Sequence, residues 1–96
     1  MSNVISEAVS ALNERLGGGF DGVVKFVIEG EGNIMVDSGG AREGDDPADM
    51  TMTASADVFR DILEGDLNPA AAFMSGRLKV DGDMGMAMRL GSALSA

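Results

Sequence analysis

Apolar and polar residues alternate along this chain with two different periods, and the switches between them mark its elements. From Asn3 to Leu16, the residues Val4, Ile5, Ala8, Val9, Leu12 and Leu16 fall on one arc at i, i+3, i+4 spacing. This predicts an amphipathic helix, stopped by Gly17-Gly18-Gly19. From Phe20 to Glu29 the period becomes two: Val24, Phe26 and Ile28 face one way, and Val23, Lys25, Val27 and Glu29 the other. Gly30-Glu31-Gly32-Asn33 supplies a hairpin turn and Ile34-Met35-Val36 the return strand. Ser38 to Asp49 reads as a polar loop, and Met50-Thr51-Met52-Thr53-Ala54 alternates strictly. Three neighbouring strands with short links predict an antiparallel meander.

The second half returns to helical spacing. Ser55 caps a helix that runs to Gly65, with Asp57 in its first turn and Val58, Phe59, Ile62 and Leu63 as its apolar face. Asn68-Pro69 opens a short helix, with Asn as cap and Pro at the first helical position, and Gly76 ends it. Arg77 to Asp81 alternates again, with Leu78 and Val80 on one face, and should join the same sheet. Asp81-Gly82-Asp83 turns the chain, with Gly82 as a hinge candidate and Asp83 as the cap of a last helix. In that helix Met84, Ala87, Met88, Gly91 and Leu94 share one face, with Met86 and Leu90 at its margin. The expected fold class is α+β: a mainly antiparallel sheet of about five strands with helices on one face, as one domain over residues 1–96.

Composition narrows the function classes. A chain of 96 residues buries roughly 60–65% of its unfolded surface, enough for one core. No apolar run is long enough to cross a membrane, and the first residues lack a basic region followed by an apolar stretch. With no cysteine there is neither a disulfide framework nor a thiolate metal site. These absences point to the cytoplasm. The net charge of −9 opposes binding to nucleic acid and tight residence on anionic lipid, and favours solubility.

The catalytic inventory is thin. There is no His, Cys, Tyr or Trp, so the commonest general base and the thiolate nucleophile are missing. No carboxylate is set in an apolar run that would raise its pKa. Gly17-Gly18-Gly19 lacks the Gly-Lys-Ser/Thr that a phosphate loop needs. Glu43, Asp45, Asp46 and Asp49 are oxygen donors of the kind calcium prefers, but their spacing is wrong for a calcium loop and Pro47 interrupts them. No catalytic, cofactor or metal residue is assigned, and an intrinsic enzyme is not expected.

The unusual count is eight methionines. Such residues fill irregular cores, and equally they line pockets that adapt to several apolar ligands; the methionines alone do not choose. Phe73-Met74-Ser75-Gly76, Leu78-Lys79-Val80 and Gly82-Asp83-Met84-Gly85-Met86-Ala87-Met88-Arg89-Leu90 together resemble the signature of the sterol carrier protein 2 family of small lipid-binding and lipid-transfer domains. One departure is Gly91, where many members carry glutamine after the Lys/Arg-Leu pair. The resemblance implies a ligand held between sheet and helices, with the C-terminal helix as a movable wall. The implied lipid-binding residues are Phe73, Met74, Met84, Met86, Met88, Leu90 and Leu94. Phe26, Ile28, Met35 and Ile62 are added from the faces they occupy. The expected function is binding and intracellular transfer of an apolar lipid: a fatty acid, fatty acyl-CoA, phospholipid or polyprenyl compound. The alternative is a non-catalytic accessory module for a lipid- or isoprenoid-quinone-modifying enzyme.

Overall fold

The computed structural model describes residues 4–17 and 19–95, with the side chains of Leu94 and Ser95 left out of the description. Asn3, the expected helix start, and Gly18 lie outside the described residues. The order is α1 (Val4–Leu16), β1 (Val24–Glu29), β2 (Gly32–Asp37), β3 (Gly40–Glu43), β4 (Met50–Ser55), α2 (Ala56–Glu64), α3 (Pro69–Met74), β5 (Lys79–Gly82) and α4 (Met84–Ser95). The strands form one sheet in the order β3-β2-β1-β4-β5. The class is α+β, as expected.

The meander is correct for the first hairpin and wrong for Met50–Ala54. β1 pairs antiparallel with β2, Phe26 opposite Ile34, but β4 lies parallel to β1, with Phe26 opposite Met52. Period-two alternation is common to both kinds of pair, so local pattern does not distinguish them. A parallel neighbour requires the chain to return to the starting end of β1. The supposed loop Ser38–Asp49 makes that return: Gly40–Glu43 pairs antiparallel with β2 as β3, and residues 44–49 then cross back to Met50. β5 joins antiparallel to β4, with Met52 opposite Val80.

The returning segment runs over the sheet face opposite the helices. Lys25, which alternates away from Val24 and Phe26, bonds Asp45 at 2.7 Å. Its cross-strand neighbour Met35 is fully buried but lies outside the main core. A Cβ added at Gly44 would lie 3.1 Å from Met35 Cγ, so the segment covers that side chain. β2 is therefore buried on both faces, which explains why Ile34, Met35 and Val36 are all apolar.

Helices cover the other face. Ile5, Ala8 and Leu12 of α1 and Phe59 and Ile62 of α2 pack on Val24, Phe26 and Ile28 of β1 and on β4. The Phe26 and Phe59 rings meet edge to face, centroids 5.4 Å apart, the favourable arrangement for their quadrupoles. Asn13 on α1 fastens the free edge of β3: its amide donates to the Ala41 carbonyl (3.2 Å) and accepts from the Ala41 N–H (2.8 Å). An open strand edge is a template for unwanted pairing, and this clamp occupies it.

Candidate functional site

Three capping residues start the helices of the second half of the chain. Ser55 Oγ accepts from the Val58 N–H at 3.3 Å and starts α2. Asn68 Oδ1 accepts from the N–H groups of Ala70 and Ala71, at 2.8 and 3.4 Å, with Pro69 in the first turn of α3. Asp83 Oδ1 accepts from the Met86 N–H at 3.1 Å and starts α4. Each satisfies donors that a helix N-terminus would otherwise leave unpaired.

Gly82, the hinge candidate, is packed tightly. Its φ is +115°, and a Cβ there would clash with the Asp49 carbonyl oxygen. Only glycine allows β5 to close on the start of β4 at this point.

α4 presents two different apolar faces. Leu90 is fully buried and Met86 nearly so, both in the main core. Met86 lies against the backbone leading into β1: a Cβ at Gly22, whose φ is +140°, would sit 2.7 Å from Met86 Cε. The Arg89 guanidinium stands 5.7 Å from the centre of the Phe20 ring and 3.6 Å from Asp21. These contacts anchor one side of α4. On its other side Met84, Ala87, Met88, Gly91 and Ser92 face α3 across an open cleft of about 350 Å3.

Met52, Leu78 and Val80, from β4 and β5 and the turn between α3 and β5, form its floor, and Asn68, Pro69, Ala70 and Phe73 complete the far wall. None of the lining side chains is ionisable. The volume is at the lower end of the range for small-molecule sites. Four apolar side chains at or near its rim reach solvent: Phe73 (42% exposed), Met84 (46%), Met88 (74%) and Met74 (85%).

The structure divides the expected site residues. Phe73, Met84 and Met88 line the cleft. Met74 follows Phe73 at the end of α3, is exposed, and is not part of the lining. Met86 and Leu90 serve the core face of α4, one helical step from the cleft face. Phe26, Ile28 and Ile62 lie in the closed core beneath α1 and α2. Met35 belongs to the opposite face of the sheet, under residues 44–49, because its position in β2 alternates away from the helices. Leu94 falls on a side chain outside the described residues. The lining adds Met52, Asn68, Pro69, Ala70, Leu78, Val80, Ala87, Gly91 and Ser92. Alternation already placed Leu78 and Val80 on one face, and helical spacing placed Ala87 and Gly91 beside Met84 and Met88. Pro69 and Ala70 carried no such signal.

Other recesses differ in chemistry. A groove of about 170 Å3 between α1 and α2 has Glu7, Arg60 and Glu64 among its lining. Two carboxyls are held below the ordinary range, both remote from the cleft. The Arg42 guanidinium hydrogen-bonds Asp37, helped by the Gly39 N–H. The Lys25 ammonium hydrogen-bonds Asp45. Of the loop acids weighed for calcium, Asp45 thus pairs with Lys25, and Asp46 lies 3.9 Å from Arg42. Among the described residues, no group of three or more His, Cys, Asp or Glu is placed to hold a metal ion.

Comparison with known proteins matches residues 6–95 to the SCP-2 sterol transfer family. Hydroxysteroid dehydrogenase-like protein 2 of Xenopus laevis is 36% identical over 88 residues, covering 83% of this chain and 21% of the relative. Human Sterol carrier protein 2 is 38% identical over 64 residues, 67% of this chain and 11% of the relative. The chain therefore spans about a fifth or less of the curated relatives it matches. Among solved structures, Sterol Carrier Protein-2 from Aedes aegypti in complex with the C16 fatty acid palmitate superposes with a TM-score of 0.80 at 25% identity, covering 99% of this chain and 97% of that one.

Proposed function

The chain belongs to the SCP-2 sterol transfer family, and on that premise we propose that it binds an apolar lipid reversibly in the cleft between α3 and α4 and carries it between lipid surfaces. The observation that carries this reading is the cleft itself: about 350 Å3 of space with no ionisable side chain in its lining. Each buried methylene of a ligand contributes about 0.8 kcal/mol, so a linear acyl chain gains affinity along its length. Methionine on one wall and small residues on both let the walls adapt, which suits a family of chains better than one rigid shape. Palmitate in the Aedes aegypti relative supports a fatty acid or another single-chain lipid as the first ligand to try. The exposed Met88 and Met74 also suit the second reading, an accessory module that presents lipid to a lipid- or isoprenoid-quinone-modifying enzyme.

Native mass spectrometry of the purified protein, with lipid extraction, tests the first reading. A co-purifying acyl lipid is expected; a stoichiometric protein partner would favour the second. Gly91→Leu supplies the control. Its position lines the cleft, and a Cβ there meets Pro69 Cβ at an ordinary 3.7 Å. The added side chain should displace about two ligand methylenes and weaken fatty-acid binding roughly tenfold or more, with the fold retained. Undiminished binding would place the ligand elsewhere.

A further inference from the structure

The chain has no Cys, His, Trp or Tyr, so methionine sulfur is its most readily oxidised side-chain group. The structure sorts the methionines into two sets. Met35, Met50 and Met52 lie in strands and are buried, and Met86 is 7% exposed on the core face of α4. Met84 and Met88 flank Met86 in sequence, but they share the other side of the helix as i, i+4 neighbours. They are 46% and 74% exposed, and both line the cleft. Met74 is exposed as well, outside the lining. An oxidant dissolved in water therefore reaches two cleft methionines directly, while the methionine between them is covered by the core.

We infer that Met84 and Met88 form a reversible oxidation site that sets the polarity of the cleft, with hydrogen peroxide or another peroxide as the oxidant. A sulfur lone pair attacks one peroxide oxygen, and the S–O bond forms as the O–O bond breaks. The departing hydroxide takes the proton of the transferred oxygen and leaves as water. Each sulfur is oxidised by two electrons and the peroxide is reduced by the same two. The sulfoxide carries a hydrogen-bond acceptor where the wall was apolar. Little in the lining can pair it, because Asn68 and Ser92 are the only polar side chains there. An acyl chain in the cleft then lies against an unpaired oxygen, and its affinity falls. The buried methionines stay reduced, so the fold is kept, and methionine sulfoxide reductases return the wall to its apolar state. The inference rests on the lipid-binding reading and adds a control to that same site.

The test treats the full chain with dilute hydrogen peroxide and follows each methionine by peptide mass spectrometry. Met74, Met84 and Met88 should gain oxygen at least about tenfold faster than Met35, Met50, Met52 and Met86, which react only after local opening. Binding of a fluorescent fatty acid should fall about fivefold for each oxidised cleft sulfur, the low end for burying an unpaired polar group, and about twenty-five-fold for the pair. Methionine sulfoxide reductases A and B together should restore it. Variants are compared by their own ratio of binding before and after oxidation. Met84→Leu/Met88→Leu should bring that ratio close to one, and Met74→Leu should leave it as in wild type. The inference is overturned if Met84 and Met88 oxidise no faster than Met86, or if the double variant loses as much as wild type. Unfolding of the oxidised chain, followed by circular dichroism, also overturns it. Nile red, a neutral apolar dye, separates the two readings. Dye binding that oxidation weakens, with no fatty-acid binding at all, overturns the carrier reading and leaves this inference standing. Fatty-acid binding indifferent to oxidation does the reverse, and a chain that takes up neither overturns both.

Discussion

Beneath α1 and α2 the core is nearly closed, with a groove between the two helices that Glu7, Arg60 and Glu64 help to line; beneath α3 and α4 it opens into a wider cleft with no ionisable lining. The void bordered by Phe26, Ile28, Phe59 and Ile62 measures about 10 Å3, whereas the cleft bordered by Met52, Phe73, Met84 and Met88 measures about 350 Å3. One sheet floors both. The difference lies in what the helices bring down onto it. α1 and α2 bring Ile5, Leu12, Phe59 and Ile62, branched or aromatic side chains that join one buried cluster with the strands. α3 and α4 bring Ala70, Ala87 and Gly91 to the same level, so the helices cover the sheet without filling the space between. Small residues on two facing helices, joined by flexible methionines, thus leave room for a ligand while Met86 and Leu90 keep α4 attached.

The sharpest way to break this comparison is a pair of truncations. Phe26→Ala, in the nearly closed half, should cost about 3–5 kcal/mol of stability. Phe73→Ala, at the rim, should cost under about 1.5 kcal/mol because much of that ring is already in water. Urea denaturation measures both. Similar losses would mean that the cleft wall is ordinary core.

Hydrogen exchange addresses the next effect. Fatty acid supplied at about a hundred times its Kd stabilises the bound form by about 2.7 kcal/mol, up to a hundredfold slower opening for amides exposed only when the ligand is lost. Protection of the Met84 to Ser92 segment should rise more than that of α1. An equal rise in both helices would show a rigid site with no movable wall.

The smallest effect lies on the far face. Lys25 lowers the pKa of Asp45, so the folded state holds that proton less tightly than the unfolded chain. The pair's contribution is present in full above the ordinary aspartate pKa and is lost as pH falls through the depressed one. Wild type should therefore be slightly more stable than Asp45→Asn at neutral pH, with the gap closing only in acid, as followed by thermal melts. Fatty-acid binding should be the same in both. A gap that widens in acid would reverse the sign and remove the Lys25–Asp45 contact from the account.

Much of the cleft was legible in the chain because helix faces and caps are local. Asn68, Ser55 and Asp83 cap the helices they were expected to cap, since a side-chain oxygen two or three residues before a free N–H acts within one turn. Helical spacing alone grouped Met84, Ala87, Met88 and Gly91, and those four line the cleft. Pairing and coverage were not legible. β3 is short and charged, with Arg42 and Glu43 in an edge strand, so it reads as loop. The parallel match of β1 with β4 depends on a chain return that no alternation records. Met35 was assigned to the ligand side, but its burial comes from residues 44–49 crossing the opposite face. Met86 and Leu90, like Met84 and Met88, are apolar residues of one helix. The sequence by itself determined which positions are apolar and where each helix begins, because those depend on neighbours within a turn. Tertiary structure decided which apolar face was nearly closed and which stayed open, because that depends on whether side-chain volumes from distant segments fill the space between them.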